Sequence, residues 1–221
     1  RIQSALPISG RVEESARQGV DVLSRRRARG FGDEPSQTER KRENLMKKIG
    51  KMNLAELAAY VQTQLRADGI DLVLSGGATV SFYSSNKYVS KDVDLINVRF
   101  AKRSKVKVTM EKMGFQEKGR YFVHPDSKFL VEFPDGPLSV GEEPVKEVKD
   151  VELPTGTLRV ISPTDCVKDR LCAFYFWNDQ QGLAQAVLVA KKQKVDLEEI
   201  RRWSKVEGKT KEFDVFKEKL G

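Results

Sequence analysis

Apolar positions recur along the chain with two periods, and the change of period divides it. In NLAELAAYVQTQLRADG, Leu54, Leu57, Ala58, Val61 and Leu65 fall at helical spacing, with Asn53 placed to cap the start and Gly69 to stop the end. IDLVLSGG then reads as a buried strand that runs into two glycines, followed by a short helix over ATVSFYSS, a polar loop, and a second strand, DVDLINV. KRSKVKVTMEKMGF predicts a helix closed by Gly114, and GRYFVHP, KFLVEFP, KEVKDVEL and GTLRVIS predict strands between Pro and Gly turns. Beyond Ser162 the period becomes helical throughout. SPTDCVKDRLCAFYFWNDQ opens on a Ser-Pro helix entry, and DQQGLAQAVLVAKKQ, DLEEIRRWSKVEG and KTKEFDVFKEKL predict three more helices.

The expected architecture is therefore α/β (α+β): a mixed sheet flanked by helices over residues 45–162, then a helical half over 163–221. Residues 1–44 mix Arg clusters with Gly, Pro and Ser and offer few large apolar side chains. Such a segment buries too little to offset its ordering entropy, so it is expected to be a flexible leader outside the functional domain, with at most a short helix over Val12 to Arg27.

Composition narrows the setting. Residues 1–48 hold 12 Lys/Arg against 7 Asp/Glu and the remainder 28 against 25, so the basic excess lies mainly in the leader. A basic leader suits a solvated tail or contacts to nucleic acid or an acidic partner. Cys166 and Cys172, the only cysteines, lack the close Cys/His spacing of a zinc site. With no apolar run long enough to span a bilayer and no hydrophobic N-terminal stretch, a cytoplasmic protein without membrane contact is expected.

Propensity does not explain the glycines of LSGG or the acids of DVDLI. A strand that ends in glycines and feeds a helix exposes free backbone amides at the positive end of the helix dipole, where phosphate binds. Gly76 and Gly77 clear the approach, and Ser75 and Thr79 offer hydroxyl donors. Asp92 and Asp94 are two apart, so on a strand both carboxylates share one face and repel unless a cation neutralises them. Mg²⁺, which takes oxygen ligands and borrows some from substrate phosphates, suits them. Within KFLVEFP, Glu132 is the one charge among the apolar residues Phe129, Leu130, Val131 and Phe133, so it lies on an exposed face or is aimed at a cation. If its strand lies beside that of Asp92 and Asp94, three acids converge on a two-metal site for in-line phosphoryl or nucleotidyl displacement.

This order of strand, Gly-Gly, short helix, Asp-x-Asp and a later single acid resembles the nucleotidyltransferases of the DNA polymerase β superfamily over about residues 53–180. The resemblance implies that Asp92, Asp94 and Glu132 bind Mg²⁺ as two ions, that NTP phosphates lie over Gly76 and Gly77, and that a nucleoside monophosphate is transferred with loss of pyrophosphate. Within the superfamily the chain looks most similar to the AbiEii/MenT-like toxins of type IV toxin–antitoxin systems and related bacterial enzymes. That subgroup implies a triphosphate-binding lysine on the first helix after the sheet, a position matched by Lys168. It also suggests a tRNA or protein acceptor and an antitoxin or other protein partner, although Asn178-Asp179-Gln180 departs from the toxins' Arg-Asp pair. A small hydroxylated molecule would serve the same chemistry as acceptor, and a non-catalytic nucleotide-binding or nucleic-acid-binding regulatory module is the competing class.

The remaining candidates have plainer readings. Lys168 and Arg170 also suit the solvated stripe of an amphipathic helix, and Asp165 and Asp169 suit helix N-terminal charges. His124, the sole histidine, is expected in a turn. Lys87 and Lys91 are expected to be solvated loop residues, and Phe174 to Trp177 to be core.

Overall fold

The computed structural model describes residues 49–221, and the expected leader, with its short helix, lies outside them. The first described helix, α1 (Leu54–Ala67), starts where the sequence places it. Asn53 accepts a hydrogen bond from the Glu56 amide at 3.0 Å, and the Glu56 carboxylate accepts one from the Asn53 amide at 2.9 Å, a reciprocal cap that satisfies two orphan donors. The chain then passes through β1 (Leu72–Ser75), α2 (Gly76–Tyr83), β2 (Asp92–Asn97) and α3 (Arg103–Lys112). Three short strands follow, β3 (Gln116–Lys118), β4 (Tyr121–Val123) and β5 (Leu130–Glu132). A two-stranded hairpin, β6 (Ser139–Val140) and β7 (Glu143–Pro144), precedes β8 (Val148–Leu153) and β9 (Gly156–Ile161). Four helices complete the chain: α4 (Pro163–Trp177), α5 (Gln180–Lys192), α6 (Leu197–Val206) and α7 (Thr210–Leu220).

Seven strands form one mixed sheet in the order β3-β4-β5-β2-β1-β9-β8. The pairs β2/β5 and β1/β9 are parallel, and the other pairs in this sheet are antiparallel. The β2/β5 pairing is the one that matters for chemistry, because it sets residues from distant parts of the chain side by side. Val93, Leu95, Val131 and Phe122 project from one face and are wholly buried. The opposite face carries the acids.

The apolar residues of the sheet and of α4–α7 merge into one core, in which Trp203 stacks on Tyr175 with ring centroids 5.6 Å apart. Helix α4 begins at Ser162, whose hydroxyl accepts from the Asp165 amide, with Pro163 in the first turn as the Ser-Pro pair predicts. Strand β3 and the β6–β7 hairpin are additions to the elements expected from the sequence; each is only two or three residues long, too short to show a period. Among the described residues no helix is long and apolar enough to cross a membrane.

Candidate active site

Strand register builds the site. Ser75 lies opposite Asp94 on the antiparallel β1/β2 pair, Asp94 opposite Glu132 on the parallel β2/β5 pair, and Glu132 opposite Tyr121 on β4/β5. Directly paired residues share a face, so Ser75, Asp94, Glu132 and Tyr121 form one row across four strands. Asp92, two residues before Asp94, joins them on that face. All five are partly exposed while the residues between them are buried. The three expected acids are thus brought onto one surface.

Glycine is required at position 76 for two reasons. The chain turns from β1 into α2 there with φ of +64°, a left-handed conformation that side chains resist. A Cβ at this position would also run into the Asp94 carboxylate. At Gly77 the neighbours are hydroxyls, with Ser90 Oγ at 3.2 Å and Tyr88 Oη at 3.5 Å from where a Cβ would stand. Ser75 is the residue before α2 and makes no side-chain capping bond, which leaves its hydroxyl on the acid row. The Thr79 hydroxyl, by contrast, is buried; it donates to the Gly76 carbonyl at 2.6 Å and lies 3.0 Å from Cys166 Sγ. It braces the turn from beneath.

The acid row is strained electrostatically. Asp94 is pushed up to about 6, first by burial and then by the charges of Glu132 and Asp92, with Arg170 acting in the opposite direction. Arg170 arrives from α4, where its Nε donates to Asp169 at 2.9 Å and its Nη1 to Gln185 at 3.5 Å. At the other end of the row, Arg120 Nε lies 3.4 Å from Glu132 Oε2.

The same helix carries Lys168 elsewhere. Its side chain is 3% exposed and bonded to Asp165 at 3.3 Å and Glu199 at 2.8 Å. Glu199 also accepts from Lys146 and Arg202, tying α6 to α4 and to the segment before β8, and these partners hold its carboxyl below the usual range. Neither lysine nor arginine of α4 is a solvated stripe residue. Arg170 is the charge that sequence reasoning underweighted, and a signal existed: it is one helical turn beyond Cys166, which packs against α2 through Thr79.

Other candidates fall away from the row. His124 is buried beside Phe115; its Nδ1 accepts from the Asp126 amide at 3.1 Å, organising the expected turn, and burial lowers its pKa. Tyr83 is buried and donates to the Ile161 carbonyl. Phe174 and Tyr175 are core, but Trp177 is 76% exposed and Phe176 is 47% exposed at the end of α4, where core was expected. Burial pushes the Cys166 thiol up to about 12, which makes it unreactive.

Among the described residues no set of three His, Cys, Asp or Glu side chains closes on a point as a finished metal cage. The donor chemistry nevertheless fits a hard divalent cation: carboxylate oxygens share one face, and the central one is held back from ionising first by burial and then by the two beside it.

No protein-family model matches the chain, and no curated protein does. Two solved structures do. One is the solution structure of the antibiotic-resistance factor ANT(2'')-Ia, 15% identical, covering 67% of this chain and 92% of that one with a TM-score of 0.41. The other is the crystal structure of ANT(2'')-Ia in complex with adenylyl-2''-tobramycin, 12% identical, covering 73% and 95% with a TM-score of 0.39.

Proposed function

We propose that this chain is a metal-dependent nucleotidyltransferase of the DNA polymerase β type, moving a nucleoside monophosphate from an NTP to a hydroxyl acceptor. The observation that carries the reading is the cross-strand row of Ser75, Asp94 and Glu132, with Asp92 beside it and the Gly76 turn packed on Asp94. A scaffold has no need to gather three repelling acids next to a helix N-terminus. A reaction that neutralises them does.

Asp92, Asp94 and Glu132 would hold Mg²⁺, which when bound polarises the α-phosphate and neutralises the charge on the leaving group. The amides of Gly77 and its neighbours, with the Ser75 hydroxyl, cradle the phosphates at the start of α2. Arg170, already acting on Asp94, would bring its guanidinium fork to the triphosphate by giving up Asp169 and Gln185, as Lys168 would have to give up Asp165 and Glu199. The acceptor oxygen bonds to the α-phosphorus as the bond to the bridging oxygen breaks. Pyrophosphate leaves with that electron pair. The acceptor proton passes to Glu132 or to water.

The finer resemblance, to AbiEii/MenT-like toxins with an antitoxin partner in the cytoplasm, belongs to the same proposal. A tRNA end, a protein hydroxyl and a small molecule are all compatible with the acid row itself. The test is label transfer from α-labelled ATP, CTP, GTP and UTP with Mg²⁺ into total tRNA, total protein and the enzyme, beside a double Asp92→Asn, Asp94→Asn variant. Label that appears in one acceptor and is lost in the variant is the expected result. An NTP that does not bind at all refutes the reading.

A further inference from the structure

In-line displacement fixes where the acceptor must enter. The leaving pyrophosphate and the attacking hydroxyl stand on opposite sides of the α-phosphorus. With the triphosphate over the Ser75 and Gly76 end of the row, the acceptor comes from the other end, beyond Glu132. Neighbouring strands are about 4.8 Å apart, so that end, at Tyr121, lies about 14 Å from Ser75.

Two side chains meet an incoming molecule there. Tyr121 is opposite Glu132 in register, and the Arg120 guanidinium lies over the Tyr121 ring, 4.7 Å from its centroid. Arg120 is 68% exposed, at the tip of the β3–β4 hairpin, beside Gly119 (φ +61°), where a side chain would meet nothing. Among the described residues its one carboxylate partner is Glu132, at 3.4 Å. Were Glu132 to hold a divalent cation, its carboxylate would be shared and the Arg120 guanidinium would be open to another anion. Arg103, at the start of α3, donates to the Arg120 carbonyl at 3.3 Å while paired with Glu117 at 2.8 Å, and Lys102 and Lys118 are exposed.

Resting on the transferase reading, we propose that Arg120 and Tyr121 form the acceptor subsite, and that the acceptor carries a phosphate group near its reacting hydroxyl. A guanidinium fork matches the oxygens of phosphate, and a stacked ring beneath it restrains the fork's direction. The phosphate belongs either to an RNA end or to a phosphorylated small molecule.

The experiment uses the full chain, Mg²⁺ and α-labelled NTP, with four acceptors: total tRNA, ribose 5-phosphate, unphosphorylated ribose and total protein. Arg120→Gln and Arg120→Lys are compared with Arg201→Gln, an equal charge change on the exposed face of α6. Folding of each is checked by circular dichroism. Label should enter only a phosphorylated acceptor, tRNA indicating the polymer and ribose 5-phosphate the small molecule. Arg120→Gln should raise the acceptor KM about tenfold, Arg120→Lys by less, with the NTP KM unchanged and Arg201→Gln like wild type. Label in ribose or protein, or an acceptor KM indifferent to Arg120→Gln, overturns the proposal. Wild type that binds Mg²⁺ and NTP yet labels none of the four acceptors overturns it while leaving the nucleotide site standing; failure to bind NTP removes the transferase reading beneath it.

Discussion

Asp94→Asn should make the protein more stable and inactive at once. In the folded chain the Asp94 pKa rises from 3.8 to about 6, because burial and the neighbouring Glu132 and Asp92 charges oppose its ionisation. The sign follows from proton linkage. Below pH 3.8 the carboxyl is protonated in both the folded and unfolded chains and costs nothing extra. Between that pH and about 6 the unfolded chain releases its proton first, so stability falls as pH rises; above about 6 the full cost is present. A shift of about two units at ~1.4 kcal/mol each makes that cost about 3 kcal/mol. For a chain of this size 1 kcal/mol moves Tm by about 2–4 °C, so neutralisation should raise Tm by at most about 12 °C. The buried amide that replaces the carboxylate needs partners of its own, which brings the expected gain nearer 5 °C. Thermal unfolding in EDTA at pH 7.5, 6, 5 and 4 is the assay. The gain of Asp94→Asn over wild type should be full at pH 7.5 and vanish toward pH 4, and Mg²⁺ should narrow it at pH 7.5 by binding wild type alone. A variant no more stable than wild type at pH 7.5, or a gain that ignores pH, would refute the account of the acid row.

Three further outcomes are expected. Gly76→Ala should lose nucleotide binding by calorimetry and destabilise the fold by at least the ~1–2 kcal/mol of a left-handed side chain, while Gly77→Ala, facing hydroxyls that can rotate, should be milder. Arg170→Gln should raise the NTP KM by about 10-fold to 100-fold, the worth of a charge-assisted bond, with Arg170→Lys recovering part of it in steady-state kinetics. Lys168→Met should cost ~3–5 kcal/mol in denaturant unfolding, because Asp165 and Glu199 lose a buried partner. Should the NTP KM rise instead with stability intact, Lys168 holds the triphosphate as its position on the helix suggests.

The β1, Gly-Gly, α2 and β2 succession was legible because each part has a local cause: a short apolar run, a turn that needs φ above zero, and a period of two that puts Asp92 and Asp94 on one face. Glu132 was legible for the cost of burying a charge in an apolar run. Its register with Asp94 was not, since β5 reaches β2 only through a parallel pairing that no nearby residue specifies. On α4 the difficulty is rotational. Lys168, Asp169 and Arg170 are consecutive, and which of them faces the acids depends on Cys166 meeting Thr79 and on Glu199 arriving from α6 to claim Lys168. Arg120 was invisible for a similar reason, because β3 and β4 are three residues each and their hairpin is defined only once β4 pairs with β5.

The parallel insertion of β5 also sets an order of assembly. Strands β1 and β2 are joined through α2 and can pair early, whereas β5 must wait for α3 and the β3–β4 hairpin to bring it round. Repulsion between Asp94 and Glu132 is then absent until β5 docks, and it weighs on the finished fold more than on the route to it. The topology predicts that Asp94→Asn slows unfolding and leaves the refolding rate nearly unchanged, so the acids limit how long the native state lasts without impeding how fast it forms.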